Sequence, residues 1–179
     1  MSHLDWDENI PKPDEYADYH QKYIDLVTGP NVIQQLIKQG QQVYTLFKQL
    51  DEEKANYKYA KGKWSVKEVL GHLIDTERIM AYRALCLSRR EQQSLPNFNQ
   101  ENYVRNSYFS ERNIQSMASE YDAQRNANIS LFNSFNNRQI TCGGTISGDH
   151  MTVRALVFMT AGHERHHLGT LEKRYGVSL

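Results

Sequence analysis

The sequence predicts an all-α fold, a four-helix bundle with long connections between its helices. Three observations predict it. Four long stretches carry apolar residues at the 3.6-residue spacing of a helix. Each stretch is preceded by a residue suited to cap a helix. No stretch alternates apolar and polar residues for long enough to mark a strand. A chain of 179 residues can bury one ordinary core. Neither a repeat nor a low-complexity tract divides it, so residues 1–179 read as one domain.

Residues 1–29 are polar and tyrosine-rich, with Pro11 and Pro13. Tyr16, Tyr19, Tyr23, Ile24 and Val27 suggest a short helix or an arm packed on the body, ended by Gly29-Pro30. Asn31 can cap a first long helix over about 32–50, whose stripe runs from Val32 through Leu36 and Val43 to Phe47. Ser65 and Glu68 form a capping box at the start of a second helix, which reaches about Arg90. The connection over 91–109 is too long for a tight hairpin and predicts a crossover or a loop overhanging a site. Ser110 is placed to cap a third helix over about 111–135, with Ile114, Met117, Tyr121 and Phe132 on one side. Residues 136–150, rich in Asn, Gly and Thr, read as a second long loop. Thr152 can cap a fourth helix over 153–175, closed by Gly176, with Lys173 and Arg174 in a last turn that favours cations.

Composition excludes several classes. Lys+Arg and Asp+Glu are 21 each, so there is no basic surplus for general nucleic-acid binding. Apolar runs are too short to span a membrane. The N-terminus is acidic and lacks the basic and apolar regions of a signal peptide, which makes the cytoplasm the expected location. Two cysteines, Cys86 and Cys142, make neither a disulfide framework nor a paired zinc motif. Cys86 fits a small core residue, and nothing near Cys142 in sequence activates its thiol.

The chemistry concentrates in Gly162-His163-Glu164-Arg165-His166-His167. On a helix, His163 and His167 stand one turn apart on one face and can offer two metal ligands. An open catalytic site wants a third protein ligand. His72, a lone histidine among the apolar positions of the second helix, is the best candidate. Read alone, it fits a hydrogen-bonded core histidine as well. His166 lies about 60° from His163 and about 100° from His167 around the helix, which points it toward the rim. Asp75, one turn beyond His72, and Glu164, beside His163, could orient a ligating imidazole. They fit equally a solvated face or an ion pair with Arg78 or Arg83. Glu77 and Arg83 could form buried charge pairs. Trp64 reads as a packing anchor at the helix start, and Tyr103 and Asn102 could line a pocket.

At these residues the chain resembles the DinB/YfiT-like superfamily. The resemblance is carried by the segment from Lys61 to Arg78, with its Trp64-Ser65 opening and single His72, and by Ala161-Gly162-His163-Glu164-Arg165-His166-His167 some ninety residues later. It extends from about Tyr19 to Tyr175. It implies a four-helix bundle with a three-histidine divalent metal site, whose ligands fall on His72, His163 and His167. Imidazoles alone do not choose the ion; zinc or nickel is expected, with iron or manganese as alternatives. The resemblance further implies a thiol S-transferase using a low-molecular-weight thiol such as bacillithiol or mycothiol, or a metal-dependent hydrolase, acting on a small electrophilic molecule. The alternatives are a non-catalytic metal-binding or stress-response protein and a helical dimerisation module with metal-free histidines. A homodimer is expected, with the tyrosine-rich arm as a possible contributor.

Overall fold

The computed structural model describes residues 4, 6, 8–28 and 31–177. The expected end of the arm at Gly29-Pro30 lies outside the described residues. Four long helices form the body: α2 (Val32–Gln49), α4 (Val66–Ser88), α6 (Ile114–Asn133) and α8 (Val153–Tyr175). Short helices fill the connections: α1 (Gln21–Ile24), α3 (Glu52–Asn56), α5 (Gln100–Asn106) and α7 (Asn137–Ile140).

The helix ends follow local chemistry. Asn31 accepts from the amides of Ile33 and Gln34. Ser65 and Glu68 close a reciprocal capping box, at 3.1 and 2.6 Å. Thr152 accepts from Ala155, and Gly176 takes a left-handed φ of 60° at the C-terminus of α8. The third long helix corrects an expectation: its cap is Asn113, not Ser110. Asn113 Oδ1 accepts from the Ser116 amide at 2.9 Å, while Phe109–Glu111 turns once as a 3-10 helix. Both residue types cap well; the one directly before Ile114, where apolar periodicity begins, wins.

Residues 136–150 also depart from a plain loop. They hold α7 and most of an antiparallel hairpin, β1 (Gly143–Ile146) and β2 (Asp149–Thr152). Ser147 and Gly148 both have positive φ, as primed hairpin turns require. Strands of four residues are too short to show alternation. The hairpin is held instead by tertiary contacts: Ile146 and Met151 are buried, and Leu95 bridges to the turn through Thr145 and Ser147.

Around the bundle, α2 packs on α6, α6 on α4, α4 on α8, and α8 on α2. The core falls into two apolar clusters. One joins the starts of α2 and α8 to the ends of α4 and α6, and the other joins the opposite ends. Hence α2 and α8 run one way and α4 and α6 the other. Adjacent α4 and α6 are parallel, so the chain between them must travel back along the bundle. That connection is both the expected crossover and a roof over the cavity described below. Between the two apolar clusters lies a polar layer containing Gln39, Glu77, Arg125, His163 and Glu164, all buried.

Candidate metal centre

Two helices supply the layer's reactive end. α4 turns His72 inward among Val69, Leu73 and Thr76; the neighbouring α8 turns His163 and His167 toward it. His163 Nε2 lies 3.1 Å from His72 Nε2 and 3.1 Å from His167 Nε2. One ligand nitrogen from each of the three falls within 4.8 Å of the others. His72 and His163 are 2% and 8% exposed.

Burial decides the protonation. It lowers the pKa of His72 to about 4 and, helped by the neighbouring imidazoles, that of His167 to about 3. His163 is driven well below its ordinary value for the same reasons. All three are therefore neutral near pH 7, the form in which imidazole ligates. A neutral ring nitrogen offers either one proton or one lone pair, so three converging nitrogens satisfy each other poorly. A cation accepts all three lone pairs. Bonds of about 2.0–2.1 Å from one ion would span each of the two 3.1 Å separations. The residues present thus fit a divalent ion.

The family follows from the sequence profile. The DinB superfamily profile matches residues 35–171, which include all three histidines. The chain belongs to the DinB superfamily. Among solved structures it is similar to YfiT from Bacillus subtilis, described as a probable metal-dependent hydrolase with an unusual four-helix bundle topology. The identity is 14%, the coverage is 94% of each chain, and the TM-score is 0.66. At that identity the likeness concerns the fold. No curated protein matches the chain.

In this DinB-superfamily chain, the groups around the histidines differ from those expected. Thr76 Oγ1, not Asp75, stands at His72 Nδ1, at 3.3 Å. Asp75 lies 4.0 Å from Arg78, the ion-pair alternative, and burial raises its pKa. Glu164 turns away from the cluster into the polar layer. There it accepts from Gln39, Tyr121 and Arg125. Glu77 is indeed in a buried charge pair, with Arg125 at 2.7 Å. Tyr103 sits on α5, 47% exposed, with its ring 5.3 Å from Phe98. His166 is exposed on the rim, as its angle on the helix implied. Trp64 does pack at the start of α4, its ring centroid 4.8 Å from that of His72.

The sequence reading missed Thr76 and Tyr23. Thr76 is four residues beyond His72, so helical spacing was a usable signal. Tyr23, which sets its ring edge against both His163 and His166 at 5.6 Å, carried none, because only docking of the arm brings it there.

Beside the histidines opens a cavity of about 410 Å³, floored by His72, Thr76 and His163. Met80, Met151 and Met159 line one part, Asn97 and Phe98 of the crossover another, and Tyr19 and Tyr23 of the arm a third. Among the described residues no helix is long and apolar enough to cross a membrane.

Proposed function

We propose that the chain is a metal-dependent enzyme in which His72, His163 and His167 hold one divalent ion, and that water or a low-molecular-weight thiol attacks a small electrophile in the adjoining cavity. The observation that supports this reading is the convergence of three neutral imidazole nitrogens, two of them from rings that line a cavity of about 410 Å³. A divalent ion there lowers the pKa of a bound water or thiol and so supplies a nucleophile at neutral pH. The chain's own residues hold the geometry. Thr76 restrains the His72 ring, Trp64 covers it, and the methionine lining keeps bulk water from the bound electrophile. Hydrolysis draws support from the description of YfiT, and thiol transfer from the resemblance to the superfamily. The all-imidazole donor set suits zinc or nickel, and iron or manganese next.

Elemental mass spectrometry of untagged protein tests the centre. About one divalent ion per chain is expected, lost in His72→Ala and in His167→Ala. A metal-free wild type that also takes up no added zinc or nickel would overturn the proposal. Loaded protein then separates the two reactions: turnover of an activated ester without thiol marks hydrolysis. Turnover of an aryl chloride only with added thiol, forming a carbon–sulfur bond and releasing chloride, marks transfer.

A further inference from the structure

The cavity beside the histidines is positively charged in a chain with no net charge. Among the described residues that line it, Lys22 and Arg83 are cations and none is Asp or Glu. Lys22 is exposed at its edge, but Arg83 is only 6% exposed. A guanidinium shielded from bulk solvent on a cavity wall needs acceptors for its donors. Nη2 donates to the Pro96 carbonyl at 2.6 Å, and the Phe98 ring lies 5.7 Å from Cζ. Among the described residues no carboxylate is within ion-pair distance of it. Other well-covered guanidiniums are treated differently: Arg125 is held by Glu77 and Glu164, and Arg154 by Glu15. The nearby acid, Asp149, lies off the lining and accepts from Tyr19 Oη at 3.0 Å. A second group on the same wall is also unanswered: His20 Nδ1 is buried without a hydrogen-bond partner.

Position adds a direction. His72 and Arg83 are eleven residues apart on α4, so they stand within about 20° of one face and about 16 Å apart along it. Met80 and Met159 line the space between the polar ends. We infer that this cavity takes an anionic small molecule, with an apolar body and an oxyanion, carboxylate or phosphate, paired with Arg83, its reacting group directed to the three histidines. The inference rests on reading the cavity as the substrate site and names the class of substrate. A planar guanidinium fork recognises such a group with two parallel hydrogen bonds, and Lys22 at the edge attracts it from solution. A neutral analogue leaves Arg83 buried without its partner and is rejected for that reason.

Calorimetric titration of EDTA-dialysed protein tests this without a metal to compete for the anion. The probes are phenylbutyrate, its uncharged amide, and phenylpropyl phosphate. On the unmutated chain, at least one of the two anions is expected to bind at least about tenfold tighter than the amide. The better anion identifies the oxyanion. Arg83→Gln and Arg83→Met should remove the preference while leaving amide affinity in place, and Arg83→Lys should keep part of it. His167→Ala should keep all of it. Equal affinities for anions and amide, or a preference that survives Arg83→Met, would overturn the inference. Because these titrations need no ion, a chain that binds no metal yet prefers anions would sink only the metal centre. A loaded chain without the preference would sink only the anion site.

Discussion

Thr76 and Asp75 show how the site divides at the scale of single residues. Both follow His72 on α4, yet only the Thr76 hydroxyl meets its Nδ1, while Asp75 faces Arg78. A group on the far nitrogen of a ligating imidazole fixes ring orientation. Thr76→Val is therefore expected to weaken ion binding by about tenfold, and Asp75→Asn to leave it unchanged. Competition with a fluorescent chelator measures both. An equal effect from the two variants would contradict the assignment. The His163–His167 pair was legible because spacing on a helix is a local property of the sequence, whereas His72, 91 residues away, stood out by its place among apolar positions and by the superfamily resemblance. Their supporting contacts were less so. Helical spacing offers Thr76 and Asp75 about equally, and only side-chain direction in the packed helix separates them.

The elements depend on how the N-terminal segment docks. Gly162 lies between Ala161 and His163 on α8, and a Cβ there would stand 1.9 Å from the Tyr23 carbonyl oxygen. That close approach is what seats α1 against α8 and brings Tyr23 to the histidines. Gly162→Ala should cost about 1–3 kcal/mol by overpacking, and the Tyr23 ring should lose its contact with His163. Urea unfolding and the aromatic NMR signals of Tyr23 report the two effects. The same segment is pinned by Glu15, which accepts from Arg154 Nε at 2.5 Å and from Thr152 at 2.8 Å. Burial pushes the Glu15 carboxyl up, but those hydrogen bonds and the Arg154 charge outweigh it, leaving its pKa below 4.5. A depressed carboxylate stabilises the fold above its unfolded pKa and loses that contribution as pH falls through the folded value. Stability should accordingly decline below about pH 4.5, and Arg154→Met should flatten that part of the profile in urea titrations.

At the scale of the molecule, one buried network joins all four long helices. Arg125 on α6 pairs with Glu77 on α4 and Glu164 on α8, and donates to the Leu36 carbonyl on α2 at 2.8 Å. Two carboxylates share that guanidinium, so its removal leaves buried charge uncompensated. Arg125→Met is expected to destabilise the fold by about 3–5 kcal/mol, measured by urea unfolding, with a smaller loss when Glu77 and Glu164 are replaced by Gln at the same time. The positions of the long helices, the caps at Asn31, Ser65 and Thr152, and the two histidine-bearing segments all follow from contacts within a few residues. Spacing and capping chemistry therefore announce them in the chain itself. The cyclic order of the helices, the short hairpin, the seat of Tyr23, and the partners of Glu164 and Arg83 depend on groups far apart in sequence. No local pattern encodes those meetings; they are decided when apolar faces pack and each buried polar group must find an acceptor, a donor or a ligand.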